Sequence, residues 1–170
     1  MNPGDPRAGV LLVATPLLID PNFARSVVLL LSHDADGTIG VVLDRPTEIP
    51  VAEYLPEWGE VVIDPPVVFS GGPVQPEVGI GLTIRSGMLE IVQLTDAPEP
   101  GLPVRVFAGC AGWAPGQLDD ELAEEAWFLL DFRPDDVLTS EPYDLWSRVL
   151  RRQSPPLAFF GLYPPDPRLN

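Results

Sequence analysis

The chain has 170 residues, 45% of them apolar, and a formal charge of −15 from 25 acids against ten cations, every one an arginine. With no lysine, a Schiff base, a lysine general base and a Walker-type phosphate lysine are excluded, and so acidic a surface repels nucleic-acid phosphates. A lone cysteine, Cys110, excludes an internal disulfide and a multi-cysteine zinc site and indicates a reducing compartment.

A chain of this size buries roughly 70% of its unfolded surface in one core without staples. The whole chain, 1–170, reads as one domain whose ends, about 1–8 and 163–170, fray. Its 15 glycines and 22 prolines imply many short elements joined by tight turns. The opening MNPGDPRAG lacks a basic region followed by an apolar run. The longest apolar runs, from Val10 to Ile19 (broken at Pro16) and Val27–Leu31, fall short of the roughly 18 residues a membrane helix needs. A cytoplasmic protein with no membrane partner is expected.

In chain order, GVLLVATP (9–16) is a short apolar run between Gly and Pro and predicts a buried strand. Asp20-Pro21-Asn22 carries turn chemistry. SVVLLLSH (26–33) and TIGVVLDRP (38–46), joined by a short loop ending in Gly, predict a hairpin. PVAEYLPEW holds one or two helical turns before Pro56. VVIDPPVVFSGGP predicts two brief strands and a sharp turn at Gly71-Gly72-Pro73. VGIGLTIRSGMLEIVQL predicts a second hairpin turning at Ser86-Gly87, with Ile84, Leu89 and Ile91 packed.

PVRVFAG (103–109) predicts a strand that feeds GCAGWAPGQLDDELAEEAW, where Gly109 and Gly112 turn the strand end and Pro115-Gly116 hands over to a helix. From Gln117 the period changes: Leu118, Leu122, Ala126 and Leu129 recur at helical spacing. A second helix covers about Tyr143–Arg152 with Leu145, Trp146, Val149 and Leu150 inward. A short apolar strand or turn follows in PPLAFFGLY. Strands lead, helices come late and neighbouring strands join by hairpins, which predicts an α+β fold on a largely antiparallel sheet, with a three-layer α/β/α sandwich as the alternative.

Three motifs stand in order: LLVATPLLIDPNFARSVVLLLSH…GTIGVVLDRP, SGGPV, and AGWAPGQLDDEL…W. Together they resemble the AlgH/YqgE family of small bacterial proteins, some of them labelled transcriptional regulators, over about Gly9 to Trp146. The resemblance implies an α+β domain on bifurcated, coiled sheets with helices packed outside, and no settled activity. The chain departs from the family pattern at Asp44, where Asn is usual, at Asp119, where Glu is usual, and near Thr83, where a His often stands.

The candidate ligand-binding set is Asp44, Arg45, Gly71, Gly72, Trp113 and Gln117. Asp44-Arg45 closes a strand and either pairs internally or grips an anion in a pocket. The Ser70-Gly71-Gly72-Pro73 amides either cradle an anion or serve a turn needing positive φ. Trp113 plugs the strand–helix junction beside Gln117, the neutral residue of the helix's opening turn. Asp119, Asp120, Glu121, Glu124 and Glu125 read as a solvated face favoured by the helix dipole. With no His among them, no metal is assigned.

The lone histidine, His33, sits at a hairpin shoulder without a catalytic partner in sequence, and Cys110 has no neighbour to activate it. Arg148, Arg151 and Arg152 complement a helix C-terminus. No catalytic residue and no cofactor are assigned, and the oligomeric state is left open. The expected function is a non-catalytic binding or regulatory module for a small ligand or protein partner. A hydrolase with carboxylate chemistry is the alternative, and direct DNA binding is the reading that the charge opposes.

Overall fold

In the computed structural model, which describes residues 4–164, the first strand already explains its own composition. In β1 (Val10–Ala14), Leu11 and Val13 face one apolar cluster while Val10, Leu12 and Ala14 face another. Alternation is therefore absent because both faces are covered, as a fully buried strand requires. The same two-sided burial holds for Val27–Leu30 of β2 (Val27–Asp34) and for Val41 and Val42 of β3 (Gly37–Val42), the predicted hairpin, whose turn end is more open.

The strands form one nine-stranded sheet that forks at β8 (Val104–Trp113). The first half of β8 lies parallel to β5 (Val67–Ser70), through Phe69 opposite Phe107, and the second half antiparallel to β3, through Gly40 opposite Ala111. The other edge of β8 carries β6 (Val74–Arg85), which turns back into β7 (Met88–Val92). Outside β5 lies β4 (Pro46–Pro50), and beyond β2 come β1 and β9 (Trp127–Asp131). Every strand pairing but β5–β8 is antiparallel, and the class is α+β.

The helices pack outside the sheet. From α4 (Leu145–Arg151), Leu145, Trp146, Val149 and Leu150 bury against Leu11, Val13, Leu29 and Val41. Each such side chain contributes on the order of 1.5–3 kcal/mol. On the opposite face α2 (Gln117–Ala123) inserts Leu118, with Phe23 packed beside it. The short α1 (Val51–Tyr54) and a 3₁₀ turn at Pro56–Trp58 cover a third cluster around Val104 and Val106.

Several expectations are corrected. The helix does not run on through Ala126 and Leu129: α2 ends at Ala123, Glu125 adopts φ +62°, and residues 127–131 form β9, with Leu129 opposite Leu12. The spacing misled because a five-residue buried strand places its apolar side chains at positions a helix also uses. Gly109 and Gly112 do not end a strand; β8 runs through both to Trp113, and Gly109 (φ +79°) kinks it where the backbone of Gly72 comes close. Ile91 is exposed, while Gly81, Leu82 and Thr83 are the buried residues of that hairpin. Val62 makes a single bridge to Val104 rather than a strand.

Two further helical elements are α3 (Pro134–Leu138), for which the sequence gives no expectation, and α5 (Leu157–Phe160), where a strand or turn is expected. The 143–152 helix begins as a 3₁₀ turn, Pro142–Asp144, before α4. The frayed ends expected at 1–8 and 163–170 fall in part outside the described residues.

Candidate functional site

At the end of β3 the chain bends, and Asp44 turns into the protein, 8% exposed. Its Oδ1 accepts the Val27 N–H at 3.2 Å. Burial drives its pKa up to about 7, against the pull of Arg45, the main-chain donors and Arg25 in the other direction. Arg45 points along the same junction and donates from Nη2 to the Ala24 carbonyl at 2.5 Å. Arg25, with φ +56°, lays its guanidinium over the Trp146 ring at 4.1 Å, and burial lowers its pKa. Between Arg25 and Val27 the Ser26 hydroxyl is fully buried with no hydrogen-bond partner.

The Gly71-Gly72 turn lies against the same strand end. The Gly71 carbonyl accepts the Val42 N–H at 2.8 Å, and Ser70 N–H donates to the Arg45 carbonyl at 2.8 Å. Gly71 and Gly72 (φ +146°) are glycine because a Cβ at either would strike the backbone of Gly109 or Cys110 on β8. The Gly71 N–H is itself engaged, donating to Ala108 O at 2.8 Å.

Trp113 and Gln117 belong to a second cluster built on Glu121. Its Oε1 accepts both indole N–H groups, from Trp113 at 3.1 Å and Trp127 at 2.9 Å, and its Oε2 accepts Gln117 Nε2 at 2.9 Å. Gln117 Oε1 in turn accepts the Ala114 N–H at 2.9 Å, closing the turn before α2. The two indoles meet edge-on at 6.0 Å, with Phe23 against both. Of the five acids, Glu121 is thus set apart by its partners, a role the sequence signals only through the Trp113–Glu121–Trp127 spacing. Glu121→Ala strands two indole donors and is expected to cost about 2 kcal/mol. It should also red-shift the tryptophan fluorescence; an unshifted spectrum with unchanged denaturation midpoint would contradict this geometry.

The structure thus gathers Asp44, Arg45, Gly71 and Gly72 in one group and Trp113 with Gln117 in another. The loop from Asp20 to Ser26 touches both, through Ala24 on Arg45 and Phe23 on the indoles. Four clefts are evident among the described residues. Trp113 lines one of about 400 Å³ at the β2–β3 turn, whereas Asp44, Arg45, Gly71, Gly72 and Gln117 line none of the four. That β2–β3 turn also holds His33 Nδ1 within 2.6 Å of Thr38 Oγ1, a cross-strand pair not apparent in sequence.

Burial pushes the Cys110 thiol pKa up. Arg151 and Arg152 are spent on Asp144 and Asp136, and Arg148 donates to Thr139 Oγ1 and the Glu141 carbonyl. Among the described residues no three His, Cys, Asp or Glu side chains form a metal-holding group, and no helix is long and apolar enough to cross a membrane.

A forked, mostly antiparallel sheet with a Gly-Gly-Pro turn locked onto its central strand defines the class of fold. The sequence matches the AlgH-like family over residues 11–158, and the chain belongs to that family. It is 45% identical to a UPF0301 protein of Streptomyces coelicolor, over 95% of this chain and 94% of the other. A UPF0301 protein of Thermobifida fusca is 44% identical over 95% and 94%.

Among solved structures, protein DIP2367 of Corynebacterium diphtheriae superposes with a TM-score of 0.89 at 32% identity, covering 96% of this chain and 95% of that one. The AlgH protein of Pseudomonas aeruginosa gives 0.68 at 26% identity, covering 98% and 100%. These relatives carry the fold and the family, a family of uncharacterised function.

Proposed function

We propose that the chain is a non-catalytic binding module, acting in the cytoplasm, for a small ligand or a protein partner. Its proposed recognition face joins the Asp44, Arg45, Gly71 and Gly72 group to the Trp113 and Gln117 group across the Asp20–Ser26 loop. The observation that supports this reading is that one loop contacts Arg45 through Ala24 and the two indoles through Phe23, which links the two groups. Among the described residues no nucleophile–base set accompanies it: the His33 imidazole is engaged by Thr38, and burial raises the Cys110 thiol pKa, away from thiolate. Direct DNA binding is opposed by the net charge and by the acids that occupy Arg151 and Arg152.

One observation favours a hydrolase: a buried carboxyl titrating near 7 is suited to general acid–base work. Its Oδ1 is tied to the Val27 N–H, however, and it lines none of the four clefts. The test is an amide-detected NMR titration with small carboxylates and inorganic phosphate, together with p-nitrophenyl acetate hydrolysis from pH 5 to 8. Shifts confined to the named face, with no turnover above buffer, are expected. Turnover with an inflection near pH 7 that Asp44→Asn abolishes would replace this reading with the hydrolase. Shifts spread elsewhere would remove the proposed small-ligand face.

A further inference from the structure

We infer that the outer edge of β9 is a docking site for an extended basic segment of a partner protein, which adds to the sheet as one more strand. It goes beyond the function proposed above and uses none of that face's six residues.

In the sheet order β9 is the last strand, and among the described residues it pairs with β1 alone. The carbonyl of Ala126 turns toward β1, where it accepts the Thr15 N–H at 3.0 Å. The carbonyl of Asp131 turns the other way and accepts Arg152 Nη2 at 3.1 Å. Main-chain groups of an antiparallel strand alternate sides residue by residue. Both ends therefore agree that the N–H and C=O of Trp127 and Leu129 face outward with Asp131. Among the described residues no hydrogen bond reaches those four groups.

That edge opens into a groove of about 590 Å³ lined by β9, by Leu122 of α2 and by the Gln153–Leu157 turn. A second cleft of about 520 Å³ shares Leu122, Trp127 and Phe128 with it and continues to Leu17, Phe160 and Tyr163. Leu17 is 69% exposed and Tyr163 47%, so apolar surface continues out to the rim. An unpaired edge beside apolar pockets is the arrangement that strand addition exploits: the main chain supplies affinity and alternate side chains fill the pockets.

Charge selects the occupant. Glu125 lines the second cleft, the exposed Glu124 precedes it as the C-cap of α2, and Asp131 closes the edge. Of the nearby cations, Arg152 is committed to Asp136 at 2.7 Å and Arg151 to Asp144 at 3.3 Å, and Arg25 at the far rim donates to the Tyr163 carbonyl at 3.0 Å. A lysine- or arginine-bearing strand gains from this rim, whereas a second copy, itself at −15, sets the same acids against each other. The chain's own amino-terminal segment reaches the groove at Gly4, but Pro3 and Pro6 on either side lack the N–H a ladder needs.

The test uses the full chain and a fluorescein-labelled octapeptide of alternating lysine and valine, followed by anisotropy at 0.1 M salt and by amide hydrogen exchange. Saturable binding with a Kd on the order of 10 μM is expected. The amides of Trp127 and Leu129 should then exchange at least tenfold more slowly. An octapeptide N-methylated at every residue, which keeps its charge and loses its strand donors, should bind at least tenfold more weakly. So should the unmodified peptide on Glu125→Lys, whose exposed side chain lies outside the core, and the glutamate–valine analogue should not saturate.

Equal binding of the N-methylated peptide, or unprotected Trp127 and Leu129 amides, would reduce the effect to general charge attraction and overturn the inference. Absence of saturable binding would do the same. Dimers in sedimentation with those amides protected before peptide is added would assign the edge to a second copy instead. Failure here leaves the Asp44–Gln117 face untouched, since its reporters are different residues.

Discussion

Asp44→Asn is expected to stabilise the protein at pH 8 by as much as about 4 kcal/mol while leaving it unchanged at pH 4. The reason is the burial of a carboxyl whose pKa rises from 3.8 to about 7 on folding. Each unit of such a shift is worth about 1.4 kcal/mol. Because the folded-state value lies above the unfolded one, the folded protein binds the extra proton. The contribution is fully present below pH 4 and is lost as pH rises through 7. Asparagine keeps an oxygen for the Val27 N–H and carries no charge to desolvate.

The measurement is urea denaturation of both proteins across pH 4–8, read as the difference between them, which cancels the repulsion among the other acids. Two parallel stability curves would show that Asp44 ionises without penalty, its charge compensated by Arg45 and Arg25. This chain carries at Asp44 a charge that costs stability, as functional positions often do.

The second large effect is expected at Arg105, a guanidinium only 1% exposed and with no carboxylate in ion-pair contact among the described residues. It donates to the carbonyls of Thr139 at 2.6 Å and Asp64 at 2.5 Å and lies 4.2 Å over the Phe69 ring. It thereby ties the loop before β5 and the end of α3 to the central strand. Burial pulls its pKa down to about 10, the sign that solvation was given up to place it there.

Arg105→Ala should cost about 4 kcal/mol, from the void beside Phe69 and the orphaned Thr139 carbonyl. Arg105→Met refills the void and escapes the cost of burying a charge, so about 2 kcal/mol should remain. Denaturation midpoints at pH 7 decide the matter. A methionine variant as stable as the parent would mean that the two hydrogen bonds only offset the desolvation they accompany.

Part of the site is legible in the sequence alone. Asp44-Arg45 and Gly71-Gly72 stood out as charged or conformationally special residues at strand ends, and they are neighbours in space. Glu121 was not separable from the other acids, because its distinction lies in two indoles that approach it from β8 and β9. In sequence, Arg105 is simply the one cation of the PVRVFAG strand. Only the arrival of the 61–65 loop and Thr139 over its side chain makes it buried. His33 gave no sign of Thr38, since the pairing depends on the register of the hairpin.

Local chemistry by itself determined the α+β class, the two hairpins, the core face of α4 and the acidic surface. Apolar periodicity, turn residues and net charge act over a few residues and need no partner to be read. Tertiary structure decided where β8 forks, that residues 127–131 form a strand, and which charges are buried. Each of these depends on contacts between segments far apart in sequence. Leu118, Leu122, Ala126 and Leu129 keep helical spacing throughout, yet Leu129 lies in a strand because β1 offers Leu12 opposite it and Glu125 breaks the helix first. Asp44 is likewise a surface residue by composition and a buried acid by topology, closed in where β2, β3 and the Asp20–Ser26 loop converge.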